Sequence, residues 1–514
     1  MKQINTCWAA ACLSMIYTLG ILALSLWRND GNFVYALDDP YIHLDLARQI
    51  ATTGLYGVNP GEYAAPSSSI IWPFLLAPFA FLPGFVQIPF IIGLLVTGSS
   101  AAVITRMLPE RLSPQTRIAL AFTATLAFNL PGLALMGMEN GLNVLLGLLA
   151  AQACLKTLNG EQPPSAIWPV FILLPLVRYE SILISAASLF ILFRLGWRKH
   201  VLLTGLLLCV PIIGFTVFLY LHNLGPVPSS TIVKKLRLGD EAGGFWKFWF
   251  ISMIIGLRNP SGIAFVVISL ALAAMTALRA RQWRSTEFSV LLAITGALLG
   301  HILLGRLSTW ETPRYDQHLA AFVLPLAAWL FSGQISRLLT SIIIILFAIP
   351  GFYTSLWGIQ LSSSAAYQQQ YQMGRLVRDF WHEPVAVNDI GMVGLGTDAY
   401  VLDLVGLANK EALDSWRMAI PDWHNGLVQR KRTPLIMVYR TWVPEDVRRH
   451  WLPVGELFRA TPSTMGDSSV LLLTPYPERA DEIHTILREW AKGLPAGANY
   501  VEYNEQHPAP LDKD

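Results

Sequence analysis

The 514-residue chain is poor in charge and in cysteine. Only 14% of its residues are Asp, Glu, Lys or Arg, against about 25% in a soluble globular protein. With 53% hydrophobic residues and a positive mean hydropathy, this composition excludes an ordinary soluble protein and predicts a polytopic membrane protein. The four cysteines all lie in apolar segments, without metal-ligand spacing. We interpret them as small buried hydrophobic residues.

The charge that is present is unevenly distributed. Residues 1–359 carry 22 Lys/Arg and 14 Asp/Glu, whereas residues 360–514 carry 15 and 20. A basic membrane part suits anionic lipid or phosphate. The basic residues are scattered and have no aromatic-basic platform around them, so the sequence does not predict nucleic-acid binding.

Residues 1–359 predict a transmembrane domain. The apolar run Cys7–Trp27 is too long for a signal-peptide core and has no small-residue cleavage site after it, so we expect a retained helix. A polar loop follows at 28–69. Apolar stretches then recur up to residue 357, the first at 70–82 and the last at 336–357, and predict about 11–13 spans in all. We find no internal repeat.

From about residue 360 the composition changes to that of a soluble α/β domain, which we place at 360–494. Tyr367–Trp381 and Glu478–Trp490 have helical periodicity. Short apolar runs predict buried strands. These runs are Pro384–Val387, Tyr400–Val405, Leu435–Tyr439 and Val470–Leu473. The Pro-containing acidic stretch 495–514 predicts a mobile tail.

Two adjacent carboxylates, Asp38 and Asp39, follow the first span. Asp before Pro40 is a helix start, and Gly54 would end a helix over 40–53 lying along the membrane surface. Capping explains one carboxylate but not two. Paired carboxylates can work as a general base and its partner, each raising the pKa of the other.

Several further charges lie beside apolar spans. Each of them alone could form an interhelical ion pair. Together they supply acids and cations near the membrane face, and the cations suit a phosphate leaving group, on which negative charge grows as a lipid phosphodiester loses its sugar. These residues are Glu139, Arg178, Glu180, Lys234, Lys235, Arg314 and Asp316.

Short motifs occur in a fixed order over roughly residues 30–410. They are Asp38-Asp39-Pro40-Tyr41-Ile42, Asn59-Pro60-Gly61-Glu62, Gly137-Met138-Glu139-Asn140, Arg178-Tyr179-Glu180, Pro228 to Lys234, Asp389-x-Gly391 and Asp403-x-x-Gly406-Leu407. In this order and spacing they resemble the GT-C superfamily of membrane glycosyltransferases. The likeness is to the bacterial branch that includes mycobacterial terminal arabinofuranosyltransferases, in which Ala stands at the position of Pro40.

The resemblance implies a multi-pass enzyme of the bacterial inner membrane. It implies transfer of a sugar from a polyprenyl-phosphate donor to a hydroxyl of a glycan, lipid or protein, with inversion. It also implies that the Asp-Asp loop and the C-terminal domain share the periplasmic face. Asp38 or Asp39 would be the base. Candidate ligands of the donor phosphate are Arg178, Lys234, Lys235 and Arg314. Other candidate site residues are Tyr41, His43, Asn59, Glu62, Glu139, Asn140 and Glu180.

Two other functions stay open at this stage. Intramembrane charges and broken helices also fit a transporter or flippase for lipid-linked sugars, although the acidic loop and the appended domain argue against it. A non-catalytic scaffold has only Pro40 in its favour. Phosphate is already a good leaving group, so no separate acid is required. We expect no required cofactor, since the sequence has no metal-ligand spacing. Asp38, Asp39 and Glu139 could nevertheless hold a divalent cation.

Overall fold

The computed structural model describes residues 2–237, 240–258, 260–304, 314–331, 349–463 and 466–504. Up to residue 376 the described chain is mainly α-helical. The helices are Lys2–Arg28, Asp39–Thr53, Trp72–Leu76, Ile88–Met107, Pro114–Ala127, Leu130–Leu135, Asn140–Leu158, Ile167–Val177, Ile182–Arg194, Arg198–Leu221, Ser229–Arg237, Asp240–Leu257, Pro260–Leu278, Thr286–Leu303, Gln317–Leu330, Ile359–Gln368 and Gln370–Leu376.

The described helices make the chain a multi-pass membrane protein. Five of them are long and apolar enough to cross a bilayer, and a pair bent by 110°, Trp249–Leu257 with Gly262–Leu278, brings the number to six if it forms one span. Two shorter apolar helices accompany them, Ile167–Val177 and Gln317–Leu330. Part of the expected last span, 332–348, lies outside the described residues.

Proline accounts for one departure from the predicted spans. The stretch 70–82 is not a single helix but the short helix Trp72–Leu76 followed by a 3₁₀ turn at Ala77–Phe79. Pro73 and Pro78 each lack the amide hydrogen that a continuing helix needs.

A single helix, Asp39–Thr53, organises the polar loop, and we call it the loop helix. It agrees with the predicted helix over 40–53 and ends at Gly54, whose φ of 73° is left-handed and suits glycine. Its predicted capping is wrong: Asp38 occupies the N-cap position but makes no side-chain capping bond. The carboxylate of Asp38 is therefore available for another contact.

The C-terminal domain is built on a six-stranded mixed sheet. The strands are β1 (Val385–Val387), β2 (Val401–Asp403), β3 (Leu435–Val438), β4 (Leu452–Arg459), β5 (Ser469–Thr474) and β6 (Ala498–Glu502). Their order in the sheet is β2-β1-β3-β5-β4-β6, in which β1 pairs in parallel with β2 and β3 and the other pairings are antiparallel. The helices of this domain are Gly391–Gly394, Lys410–Arg417, Trp423–Arg430, Glu445–Arg448 and Ala480–Ala491.

The four predicted strands are confirmed, whereas β4 and β6 were not predicted. β4 mixes polar residues with Gly455, so it lacks the all-apolar pattern of a buried strand. The prediction of a mobile tail from residue 495 is wrong for Ala498–Glu502, since this segment pairs with β4 along the edge of the sheet. Residues 505–514 lie outside the described part of the chain.

The polar loop and the C-terminal domain share one hydrophobic core. Ile42 and Leu46 of the loop helix and Val58 after it pack in the same buried cluster as Val385 and Leu435 of the sheet. Burying apolar side chains from both parts favours a fixed arrangement of loop and domain. The carboxyl ends of β1 and β3 are thereby held close to Asp38.

Candidate functional site

Two polar contacts dock the loop onto the domain. The Asn59 side chain bonds both backbone groups of Val401, accepting from its N–H at 3.0 Å and donating to its carbonyl at 2.9 Å. Glu62 accepts from Tyr400 Oη at 3.0 Å and from Lys431 Nζ at 2.8 Å. Both residues were predicted as site candidates, and the structure shows them in this docking contact.

Asp38 joins the loop to the start of the short helix Gly391–Gly394, which we call the glycine helix. Its two carboxylate oxygens accept from the backbone N–H groups of Gly391 at 2.7 Å and Met392 at 2.8 Å. A methyl group on Gly391 would come within 2.7 Å of Asp38 Oδ2, so only glycine allows this approach. Each oxygen keeps a lone pair beyond the one used.

The surroundings of Asp38 disfavour its charged form. Burial is the main cause that raises the pKa of Asp38, and the nearby carboxylate of Asp389 raises it further. The two backbone N–H bonds act in the opposite direction without cancelling this rise. Asp38 is therefore a fixed carboxylate with more affinity for a proton than an ordinary aspartate, as a general base requires.

Asp39 forms an ion pair with Arg314, which lies late in the sequence of the membrane domain. Its Oδ2 lies 3.2 Å from Nη1 of Arg314, which immediately precedes the apolar helix Gln317–Leu330. The Arg314 side chain is 14% exposed and that of Asp39 38%. Asn140, another predicted site residue, donates to the Arg314 carbonyl at 3.0 Å and helps to fix the position of the arginine.

Asp38, Asp39 and Arg314 line a cavity of about 300 Å³ between the loop and the domain, which we call the main cavity. The opposite wall comes from residues at the carboxyl ends of β1 and β2, including Asp389, two residues after β1, and Asp403, the last residue of β2. Parallel strands place such residues together at the carboxyl edge of a sheet, where α/β folds bind ligands. The main cavity is thus bounded by four carboxylates and one guanidinium.

The domain side of the main cavity is held by hydrogen bonds. Asp389 Oδ2 accepts from Tyr439 Oη at 2.6 Å and from Gln370 Nε2 at 3.2 Å. Asp403 accepts from the backbone N–H groups of Val405 and Ala408, which shapes the turn after β2. We did not predict Asp389, Tyr439 or Gln370 as site residues, although Asp389 belongs to a quoted motif.

Three of the other predicted charges, Glu139, Arg178 and Glu180, form a buried cluster that adjoins the main cavity through Tyr315, whose ring contacts the guanidinium groups of both Arg178 and Arg314. Arg178 is 2% exposed and donates to Glu139 at 2.8 Å and to Glu180 at 3.0 Å. His43 Nε2 lies 3.8 Å from Glu139 Oε2, and Ser68 Oγ donates to Glu139 Oε1 at 3.1 Å. This arrangement favours the ion-pair alternative for Arg178, and its binding of phosphate stays a prediction.

Three predicted site residues remain, namely Tyr41, Lys234 and Lys235. Tyr41 is buried, and its hydroxyl accepts from the Tyr35 backbone N–H at 3.0 Å, a contact within the loop. Lys234 and Lys235 lie on the helix Ser229–Arg237, whose Val233 lines the main cavity. The side chains of these two lysines lie outside the described part of the structure.

The described residues contain no group of three or more His, Cys, Asp or Glu side chains placed to hold a metal ion. Glu139, which we considered as a third ligand beside Asp38 and Asp39, is fully buried and bonded to Arg178. It is not among the side chains that line the main cavity in the described structure. Asp38 and Asp39 therefore have no third ligand from Glu139 in this arrangement.

Residues 359–473 match the model of a domain of unknown function, DUF8728. This match covers the first part of the C-terminal domain and most of its sheet, and it includes Asp389 and Asp403. No curated protein matches the sequence.

Two of the solved structures to which this chain is similar contain a bound lipid phosphate. One is ArnT from Cupriavidus metallidurans bound to undecaprenyl phosphate, with a TM-score of 0.41, 12% identity and coverage of 90% of this chain and 98% of that chain. Another is the archaeal oligosaccharyltransferase AglB from Archaeoglobus fulgidus, in complex with an inhibitory peptide and a dolichol-phosphate. Its TM-score is 0.38 at 10% identity, and coverage is 90% of this chain and 77% of that chain. At this level of similarity, function does not follow from the comparison.

Proposed function

We propose that this protein is a membrane glycosyltransferase that moves a sugar from a polyprenyl-phosphate donor to a hydroxyl of a glycan, lipid or protein. The observation that carries the proposal is the main cavity, in which an amide-held carboxylate and an arginine lie together at the edge of apolar helices. A base and a phosphate-binding cation are the two groups that such a transfer needs. The order of sequence motifs supports the same reaction.

In the proposed reaction Asp38 is the base. It removes the proton of the acceptor hydroxyl, whose oxygen attacks the anomeric carbon from the side opposite the phosphate. The bond between this carbon and the phosphate oxygen breaks, and its electron pair leaves with the polyprenyl phosphate. The configuration at the anomeric carbon is inverted. The raised pKa of Asp38 suits this role because a base with more affinity for the proton drives the transfer better.

Arg314 has the complementary role. Its guanidinium is bonded to Asp39, and its two terminal nitrogens can contact a phosphate in the bidentate manner typical of arginine. We propose that the donor phosphate takes over part of this contact and that Arg314 stabilises the charge growing on it. Lys234 and Lys235 are further candidates for the same phosphate.

The test is the release of polyprenyl phosphate by the purified protein in lipid nanodiscs. Synthetic polyprenyl-phosphate pentoses and hexoses are offered with and without a panel of saccharide acceptors, and Asp38→Asn serves as the inactive control. We expect wild-type protein to release polyprenyl phosphate from at least one donor, and the release to continue in EDTA. Transport of intact donor across a proteoliposome membrane, with no cleavage, would instead favour a flippase and contradict the proposal.

We also propose that the loop and the C-terminal domain face the periplasm of a bacterial inner membrane. Exposed positions allow a direct test: Thr52 on the loop helix, Thr485 in the domain, and Gln115 in the basic segment with Arg106, Arg111 and Arg117, which the excess of positive charge in cytoplasmic loops predicts to be cytoplasmic. Each is changed to cysteine in a chain without the four native cysteines. An impermeant thiol reagent should label the first two in spheroplasts and the third only after lysis. Opposite labelling of Thr52→Cys and Thr485→Cys would contradict the model of one shared site.

A further inference from the structure

A second cavity, of about 330 Å³, lies beside the main cavity and is not used by the proposed reaction. The glycine helix connects the two. Its first residue contacts Asp38, and a methyl group on its last residue, Gly394, would come within 3.1 Å of Asp45 Oδ2. We call this space the side cavity.

One wall of the side cavity is a polar stripe of the loop helix. Asp45, Arg48, Gln49, Thr52 and Thr53 all line it. Their spacing of three and four residues places them on one helix face. This face is on the same helix whose first residue is Asp39, so both cavities are fixed to one rigid element.

Asp45 is the unusual residue of this wall. It is 1% exposed, and its Oδ1 accepts from Arg48 at 2.8 Å. Its Oδ2 is buried and has no hydrogen-bond partner among the described residues. Burial raises the pKa of Asp45 to about 7, although Arg48 acts to lower it. A buried carboxylate oxygen without a donor is costly, and a ligand hydroxyl in the side cavity would supply one.

The lining narrows the chemistry of the occupant. Besides Asp45 and Arg48 it includes the exposed Asp398 and several amides and hydroxyls, among them Asn59 and Thr397. An anion is disfavoured because it would have to take Arg48 from the buried Asp45 and leave that carboxylate without its cation. The scarcity of large apolar side chains disfavours a lipid chain, and the described residues offer no metal-binding group. A neutral polyhydroxyl group satisfies this mixture of donors and acceptors.

The position of the side cavity fits an acceptor that extends beyond its reacting end. Asp45 lies six residues after Asp39 on the loop helix, about 9 Å along its axis. A short oligosaccharide spans that distance. A chain whose terminal hydroxyl lies near Asp38 is therefore long enough to place a later sugar in the side cavity.

We propose that the side cavity is a binding subsite for a neutral carbohydrate residue of the acceptor, with Asp45 accepting hydrogen bonds from its hydroxyls. This inference rests on the proposed function, since it assigns the acceptor to the glycan class. It assigns no chemical step to Asp45, which acts only by binding.

The test uses protection of a single cysteine and needs no turnover. Thr52→Cys in the chain lacking native cysteines places a thiol at the mouth of the side cavity, and Thr485→Cys is the matched control on the far helix Ala480–Ala491. The probes are neutral mono- to tetrasaccharides of pentoses, hexoses and deoxyhexoses, with inorganic phosphate as the anionic comparison. We expect at least one saccharide to slow modification of Thr52→Cys, no effect on Thr485→Cys and no protection by phosphate.

Variants then separate binding from catalysis. Adding Asp45→Asn should weaken protection about tenfold or more, since it removes a charged acceptor, whereas the surface change Asp481→Asn should not. If Asp45→Asn fails to fold, Thr397→Val removes one lining hydroxyl at a partly exposed position and should also weaken protection. Asp38→Asn should keep protection even though transfer is lost.

Three results would overturn the subsite. The first is that no saccharide slows modification of Thr52→Cys, and the second is that phosphate slows it instead. The third is that protection by a saccharide survives both Asp45→Asn and Thr397→Val. Failure of the proposed function looks different, because saccharides would then still protect Thr52→Cys while no donor is cleaved. The two proposals are therefore tested separately.

Discussion

Two groups of charged residues have a similar composition but differ in how accessible they are to a ligand. The first, which we call the cavity cluster, is Asp38, Asp39 and Arg314. The second, the sealed cluster, is Glu139, Arg178 and Glu180. Each contains one arginine and two carboxylates at the edge of apolar helices. Arg178 is 2% exposed and donates to both carboxylates of its cluster, whereas Arg314 is 14% exposed, bonds one and borders a cavity.

Because of this difference in access, we expect the sealed cluster to serve stability and the cavity cluster to serve chemistry. A buried arginine engaged by two carboxylates is out of reach of a ligand, and removing it would leave buried carboxylates without their cation. An arginine with one partner at the wall of a cavity can exchange that partner for phosphate. Motif matching alone gave the two arginines the same role, and only their surroundings distinguish them.

The largest effect that we expect on stability is in the sealed cluster. Glu139→Gln leaves Arg178 with one charged partner in a buried site, which should destabilise the protein by about 3–5 kcal/mol. The melting temperature in detergent measures this loss. Asp39→Asn is the matched change in the cavity cluster and should lower the melting temperature much less, because Asp39 is 38% exposed. Equal losses would remove the distinction between the clusters.

The next effect compares the two arginines directly. Lysine keeps the charge but not the bidentate contact. Arg314→Lys should therefore lower kcat/KM for the donor by about tenfold or more, with a nearly normal melting temperature. Arg178→Lys should instead lower the melting temperature and leave kcat/KM close to wild type. The reverse pattern would move the phosphate site to the sealed cluster.

The smallest effect is a shift in pH dependence. Asp38 must be ionised to act as base, so its raised pKa predicts that activity falls on the acid side at a pH well above about 3.9, the usual value for aspartate. Asp389→Asn removes a neighbouring negative charge and lowers the pKa of Asp38. The acid limb of kcat/KM should then move to lower pH by up to about one unit. A limb that stays in place or moves to higher pH would show that Asp389 does not tune the base.

Local patterns were sufficient for much of the fold. The loop helix follows from Pro40 and Gly54, and four strands follow from short apolar runs, since these signals depend on neighbouring residues alone. β6 was not predicted because its sequence alone does not indicate a strand. It is a strand only through its pairing with β4. The prediction of a span at 70–82 was wrong because hydropathy takes no account of the backbone N–H groups that Pro73 and Pro78 lack.

The candidate site was predictable only in part. Asp38 and Asp39 stood out because two carboxylates exceed what a helix cap needs. Asp389 could have been recognised as well, since it follows a predicted buried strand, and such positions meet at the carboxyl edge of a parallel sheet. The partner of each arginine could not be predicted, because it depends on contacts between residues such as Asp39 and Arg314 that are 275 positions apart.

The central claim is that Asp38 does chemistry while the carboxylates of the sealed cluster do not. The most direct test measures kcat for release of polyprenyl phosphate by Asp38→Asn and Glu180→Gln, together with the melting temperature of the same preparations. We predict that Asp38→Asn loses about 10²-fold or more, the scale of a positioned general base, and remains folded. Glu180→Gln should lose stability and keep most of its turnover. Near-normal turnover by folded Asp38→Asn would contradict the account.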